Sequence, residues 1–531
     1  MGDPSGSYGR LPSLFNPTQW VVNIKKDLEP FIKTQELPKA KRPILRVGAR
    51  LRKTRLEHFE PQYLFLGLYN RSSFENNNPK TKGNIFRLAV VGAFLAEAEK
   101  SLSEWESICG RIVEDPKTML EHYNEEGLDN FSMEGVRSVL SLDAIFLACF
   151  LSNFLDVGVH SRIQARFPSL AYIVDGGGTT FNQELMCDIV MLENQIPLEL
   201  IHKALFLLYE VFNIKCGNQN QPGLTSAEND EDNTMDDVQT QADELLQIIC
   251  TKVATFFRAG LPGSEAVEDP LKYNLVFKDK CKHLLHCVYV RLVSDGSDQT
   301  AARLWRAPHP NRKCWHKTLK FCFSRQDEPS EEEVTSPSFR PRSEDVPLAS
   351  ATQLRKAGID FKGQAGLDVR FEKRFVGATL YLPKIVFFGD DCEPIWRNLL
   401  AFEDEYELGY QFVSYLDFMD ELIDLEEDVA LLRSGKYPVL INIGLGSNAE
   451  VAQLFNTMTT DYFIDRSAKW QDVRKQILEY YNNTSRQTWV EFRRTNFGKP
   501  WLFASFLAAT ALLILTFLQA VFAILTFKYS F

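Results

Sequence analysis

The chain has 531 residues, 45% hydrophobic and 24% charged, and its formal net charge is −11. This is an ordinary folded-protein composition with room for roughly two to four domains' worth of core. The acidity excludes broad duplex binding, which rests on cations facing phosphates, so no nucleic-acid partner is expected.

Residues 1–16 are polar and Gly/Ser-rich and lack the apolar core of a secretory signal. Gly6 stands where an N-myristoylation signal wants Ser or Thr. Trp20 to Phe31 reads as a short amphipathic helix, and Ile44 to Val47 and Gln62 to Leu68 as short extended segments around turns. From Ile85 onward, Leu88, Val91, Phe94, Leu95, Ala98 and Leu102 recur at helical steps. Met133 to Leu155 is apolar nearly all round, as a helix buried on most sides must be. Leu185 to Phe212 is helical with a predicted break near Gln195 and Ile196, because Pro197 removes a donor and disfavours helix in the residue before it.

Cys216 to Asp237 reads as an acidic polar linker, followed by helices over Val238 to Phe257 and Lys278 to Val293. Ser294 to Pro347 reads as a second linker, basic first and then acidic and Pro/Ser-rich. After a helix ending at Gly358, Leu367 to Glu372 alternates as a half-buried strand does. With Thr379 to Leu382 and Ile385 to Phe388 it predicts a small antiparallel meander. Helices return over Ile395 to Phe402, Tyr410 to Leu432, Ala449 to Met458 and Ala468 to Tyr481.

The last stretch, Trp501 to Phe527, runs without a charge. At about 1.5 Å per residue its helix is about 40 Å long, more than the ~30 Å of a bilayer core. Arg493, Arg494 and Lys499 precede it. This predicts a single-pass membrane protein that meets the bilayer through 501–527, with the basic flank and the body on the cytosolic side. An extracellular body at the plasma membrane is the alternative, in which case the sequons at Asn70 and Asn482 would matter. In a cytosolic body the ten cysteines are reduced thiols. The fold class is mainly α (α+β), a helical body with a small antiparallel β meander and a C-terminal transmembrane helix. It divides into an N-terminal segment (1–40), a helical lobe (41–215), an acidic linker (216–240), a helical segment (241–293), a second linker (294–347), a meander with helices (348–496) and the tail (497–531).

Several motifs have both a chemical and a plain reading. Gly444 to Ala449 fits G-x-G-x-x-A after an apolar run, with Asp465 at the distance of a ribose-binding acid. Ser447 and Glu450 make an ordinary capping box there, and the capping reading is preferred because no further βαβ unit follows. His283 and His286, with Cys281 and Cys287 beside them, share a helix face but lack a second ligand pair, so no metal is expected. The carboxylates from Asp417 to Asp428 read as a solvated helix face. Arg303 to Arg325 interleaves basic and aromatic residues and reads as a flexible insertion that could meet lipid or a partner. Asp143, Asp188, Glu193, Asn194 and Gln195 are polar groups in apolar surroundings: a converging acid/base site, or hydrogen-bond partners for backbone freed at Pro197. The latter is preferred. No G-x-S-x-G, H-E-x-x-H or phosphate-loop motif occurs, and no cofactor is expected.

Leu192 to Pro197 (LENQIP), preceded by Asp188, resembles the hallmark of the plant family known as domain of unknown function 247. Leu142-Asp143, His283-Leu284-Leu285, Leu354 to Phe361, Arg397 to Glu403, Asp424 to Leu432, Ala452 to Asn456 and Lys499-Pro500-Trp501 resemble it too. The chain departs from the pattern at Gly48, where proline is usual, and at Leu68 and Asn70, where proline and histidine are usual. The resemblance implies a single-pass plant protein with no established enzyme activity, and the first expectation is a helical body that binds other, unidentified proteins. Some members of the family are tied to pollen–stigma self-recognition and to suppression of female organ development. A membrane-associated enzyme with a carboxylate site near Asp143 and Asp188 is the competing expectation.

Overall fold

The computed structural model describes residues 44–69, 82–155, 178–217, 231–263, 281–293, 347–483 and 500–529, with short gaps at 99, 101, 124–127, 129–130, 375–376, 388–391, 407, 443–445, 461 and 463–466. The expected helix Trp20 to Phe31, most of both linkers, the basic stretch Arg303 to Arg325, Asp465 and the flank Arg493, Arg494 and Lys499 lie outside the described residues.

The first half is helical: α1 (Ala49–Arg55), α2 (Lys82–Glu97), α3 (Trp105–Ile112), α4 (Pro116–Leu120) and α5 (Met133–Phe154). Ser132 caps α5, its hydroxyl accepting from the Gly135 N–H at 3.1 Å. α2, α3 and α4 all pack on α5, which explains why its sequence is apolar on every side. Phe146, Phe150 and Phe154, one turn apart, stack at 5.5 and 5.3 Å. The expected proline break is present. α6 (Thr179–Ile189) gives way to a single 3-10 turn, Leu192–Asn194, and α7 (Leu198–Gly217) starts directly after Pro197. α7 packs on α5 and on α8 (Glu231–Phe256), which packs on α9 (Leu284–Val293). α8 begins at Glu231, inside the stretch Cys216 to Asp237 that reads as linker in the sequence.

The second half holds α10 (Ala351–Lys356), β1 (Ile359–Gln364), β2 (Arg370–Lys373), β3 (Ala378–Pro383), β4 (Ile385–Phe387), α11 (Cys392–Tyr406), α12 (Gln411–Leu422), α13 (Glu426–Leu432), β5 (Leu440–Asn442), α14 (Asn448–Met458) and α15 (Ala468–Tyr481). The sheet is not the antiparallel meander the sequence implied. Its order is β1-β3-β2, with β3 antiparallel to β2 and parallel to β1, while β4 and β5 form a separate parallel pair. The hairpin between β2 and β3 turns at Gly377, whose φ is 81°. β1 alternates apolar and polar residues only over Ile359 to Lys362 and loses the pattern at Gly363, a run too short to mark a strand by itself.

α16 (Pro500–Tyr529) has 30 residues and is about 45 Å long, enough to cross a bilayer core of about 30 Å. Among the described residues two helices are long and apolar enough for that, and their surroundings separate them. α5 is 72% buried in the protein, whereas none of Ala504–Leu525 is. The first is the centre of a core, and the second has no protein to bury it.

Candidate functional site

The segment from Gln62 to Gly67 bends in from the surface at Gln62 and Tyr63 and enters the first-half core up to the turn at Gly67, pairing with no strand. Side chains do the pairing instead, and they are the polar residues that stood out in sequence. Asp188 Oδ1 accepts from the Gln62 N–H at 2.9 Å, and Oδ2 accepts from Tyr63 at 2.8 Å and Leu64 at 2.9 Å. Asn194 Oδ1 accepts from Leu66 at 2.6 Å, while its amide donates to the Leu64 and Asp188 carbonyls at 2.9 and 2.8 Å. Asp143 accepts from the Gly67 N–H at 2.9 Å and from Arg87, whose guanidinium also donates to the Phe65 carbonyl at 2.9 Å.

The other two candidates serve the same purpose nearby. Glu193 Oε1 accepts from the Val47 N–H at 2.9 Å, and its Oε2 lies 3.0 Å from Arg52. Gln195 donates to the Ile189 and Met191 carbonyls, both at 2.7 Å, and accepts from the Leu285 N–H at 3.1 Å. It thus ties the broken end of α6 to the start of α9. Gly67 has a φ of 66°, and a Cβ there would stand 2.6 Å from the Gln195 carbonyl oxygen. Tyr123 donates to that same oxygen at 2.9 Å. Asp143, Asp188 and Asn194 are therefore brought together around one segment, while Glu193 and Gln195 tie neighbouring backbone at Val47, at the end of α6 and at α9.

Burial dominates the electrostatics. Asp143, Asp188, Glu193, Asn194 and Gln195 are all at most 2% exposed. Burial pushes the Asp188 carboxyl up to about 6, against the pull of three backbone N–H donors, and Glu184 adds to the rise. Burial raises Glu193 too, opposed by Arg52. A carboxylate used in acid/base chemistry must reach a substrate. These carboxylates are sealed and hold backbone, so the arrangement builds a loop into the core and does not open a reaction site.

Two carboxylates of the second half repeat the device. Glu403 is fully buried and accepts from Tyr289 at 2.6 Å and from the Phe412 and Val413 N–H groups at 3.0 and 2.7 Å, so it caps α12 from the end of α11. Burial raises its pKa. Asp428 accepts from Thr352 at 2.8 Å and from Asp424 and Leu425 at 3.2 Å. That splits the expected helix Tyr410 to Leu432 into α12 and α13. It also corrects the reading of Asp417 to Asp428 as a solvated face. Asp417 and Asp428 are buried, and Glu421 is gripped by Arg474 at 2.8 and 3.0 Å. Asn398 links the halves, accepting from the Leu192 N–H and donating to the His58 carbonyl, both at 2.8 Å. Neither Glu403 nor Asn398 was singled out chemically from sequence, although both flank the apolar run Leu399 to Phe402 in the stretch Arg397 to Glu403.

The remaining motifs have plain places. His283 and His286 are buried against Phe402, with ring centroids at 5.3 and 5.1 Å. His286 Nδ1 accepts from the Lys282 N–H, and burial lowers its pKa to about 3, so the ring is neutral. Among the described residues no three His, Cys, Asp or Glu side chains gather as a metal site. At Gly446 to Ala449 a parallel strand pair does precede the helix, but Ser447 and Glu450 form the capping box. A Cβ at Gly446 would coincide with the Glu450 carboxylate, so a negative group already occupies the place a pyrophosphate would take.

A family model described as a plant protein of unknown function, DUF247, matches residues 44–515. UPF0481 protein At3g47200 of Arabidopsis thaliana is 34% identical over 193 residues, which span 35% of this chain and 39% of that relative. A second Arabidopsis thaliana UPF0481 protein, At3g02645, is 22% identical over 95% of this chain and 94% of its own length. No solved structure matches. The match takes in Asp143, Asp188, the LENQIP turn, Glu403 and the first half of α16, and the chain belongs to the DUF247 family of plant proteins.

Proposed function

We propose that the chain is a tail-anchored, single-pass membrane protein whose body works by binding other proteins and not by catalysis. One observation carries the anchoring: α16 is apolar, long enough to span, and unburied by the rest of the chain. Arg493, Arg494 and Lys499 on the body side support a cytosolic body. The interaction part is supported by α2. From Gly83 to Ala96 its one charged residue is Arg87, which is buried, so Ile85, Leu88, Ala89, Gly92 and Ala96 give an uncharged exposed stripe. We place the biological setting in reproductive development or recognition on the family resemblance alone.

Protease protection on isolated membranes, with tags at both ends, tests the arrangement. The N-terminal tag and the body should be digested in intact vesicles. A protected body would place it on the opposite side and overturn the cytosolic assignment.

A further inference from the structure

The three-stranded sheet turns one face to the core; on the other, Thr379 and Pro383 of the central strand are still covered, Lys362 and Tyr381 are half-buried and Arg370 is exposed. Ile359, Phe371, Leu380 and Leu382 are buried, so strand alternation sends Lys362, Arg370 and Tyr381 to the opposite face. Register sets those three side by side, with Tyr381 paired to Lys362 on one edge and to Arg370 on the other. The Arg370 guanidinium lies 4.4 Å from the Tyr381 ring centroid, and the Lys362 ammonium 5.8 Å. Lys362 is also 5.5 Å from the Tyr437 ring, and Lys436 lies 5.4 Å from that ring. Three strands and the loop before β5 thus build one row in which three cations alternate with two rings. Arg374 flanks it, 3.5 Å from the Tyr381 hydroxyl.

This row is open and underneutralised. Tyr437 is 51% exposed and the Arg370 side chain 57%. Among the described residues Lys362 and Lys436 enter no ion pair, Glu372 meets only Arg370, and Asp360 is taken by Arg355. In a chain of net charge −11 such a row calls for an anionic surface. The path of the chain says which one. α15 packs on the edge strand β2 from the core face, where Tyr480 lies 5.7 Å from Phe371, and Lys469 pairs with Asp368 just before β2. Residues 482–499 then lead from that edge to α16, a reach of at most about 60 Å.

We propose that the Lys436–Tyr437–Lys362–Tyr381–Arg370 row docks the body on the anionic phospholipid headgroups of the membrane that α16 enters. The inference rests on the anchored reading. Tyrosine rings suit the headgroup level, and basic side chains are drawn to anionic lipid.

The test is hydroxyl-radical footprinting of Tyr381 and Tyr437 in the full chain, reconstituted in neutral phosphatidylcholine nanodiscs or in discs with phosphatidylserine. Both rings should be protected about fivefold in the anionic discs, the scale expected from one or two basic contacts. Protection should vanish in high salt, which shortens the screening length to a few ångströms, roughly 3 Å at 1 M. It should vanish as well in the double variant Lys362→Gln, Lys436→Gln, whose side chains are free of structural bonds. Equal footprints in the two discs at low salt would overturn the proposal. So would protection in neutral discs that salt leaves untouched, because it would assign the face to a protein surface. Flotation with neutral vesicles in high salt reports insertion separately. If the chain fails to float there, the anchored reading falls, and salt-sensitive flotation with anionic vesicles alone decides the lipid face.

Discussion

Asp188 gives the sharpest test of the buried network, since it holds three backbone donors at once. Replacing it by alanine strands the Leu64 N–H, which is buried, and the Tyr63 N–H, which is half-buried, while the exposed Gln62 can turn to water. At about 1–3 kcal/mol per stranded donor, the loss of acceptors alone costs about 2–6 kcal/mol. The carboxyl itself pulls the other way at neutral pH. Its folded pKa of about 6 is raised above its unfolded value near 3.8, so its contribution is fully present below the lower value and is lost as pH rises through the upper one. Two units correspond to about 3 kcal/mol. Asp188→Ala should therefore be much more damaging at pH 4 than at pH 7.5, and Asp188→Asn should abolish the same pH dependence while losing about one acceptor. Chemical denaturation of the detergent-solubilised chain at both pH values, followed by the buried Trp396 and Trp470, measures this. Hydrogen exchange over residues 60–69 should speed up in the same variants. Unchanged exchange at Leu64 together with equal destabilisation at both pH values would refute the reasoning.

Gly67→Ala should cost about 2–4 kcal/mol in the same denaturation assay, because the residue needs a left-handed φ and its Cβ would strike the Gln195 carbonyl. Glu403→Ala removes the acceptor for Tyr289 and for two N–H groups of α12, so thermal unfolding should move down by about 3 kcal/mol or more. His286 has the opposite sign to Asp188. Its folded pKa near 3 lies below the unfolded value near 6.5, so its contribution is present above 6.5 and is lost as pH falls toward 3. His286→Gln should flatten that acid limb in a pH series of denaturation midpoints. On α2, Leu88→Glu should leave unfolding within about 0.5 kcal/mol of wild type, since the side chain is 57% exposed, while removing a partner that reads that stripe.

The helices were legible because their cause is local. A 3.6-residue recurrence of apolar side chains marked α2, a long run apolar nearly all round marked α5, and Pro197 marked the break between α6 and α7. The polar network was legible in part. Asp143, Asp188 and Glu193 to Gln195 stood out as costly residues in apolar surroundings, but the backbone that Asp143, Asp188 and Asn194 hold lies over 70 positions away in an unpaired segment that looked like strand. Glu403 and Asp428 were less visible because a carboxylate that caps a distant helix reads, in sequence, like any charged surface residue. The sheet was misread for a related reason. Only the β2–β3 hairpin is local, whereas β1 joins β3, and β4 joins β5, in parallel across longer separations. The cation–ring row was invisible before register set Lys362, Arg370 and Tyr381 abreast.

The anchoring claim is tested most directly by alkaline carbonate extraction of membranes holding the full chain beside the variant Leu513→Arg, Leu518→Arg. Each arginine near the middle of α16 opposes insertion by about 2.5–3.5 kcal/mol. The native chain should stay in the pellet and the variant should move to the supernatant. Release of the native chain by carbonate would contradict the account.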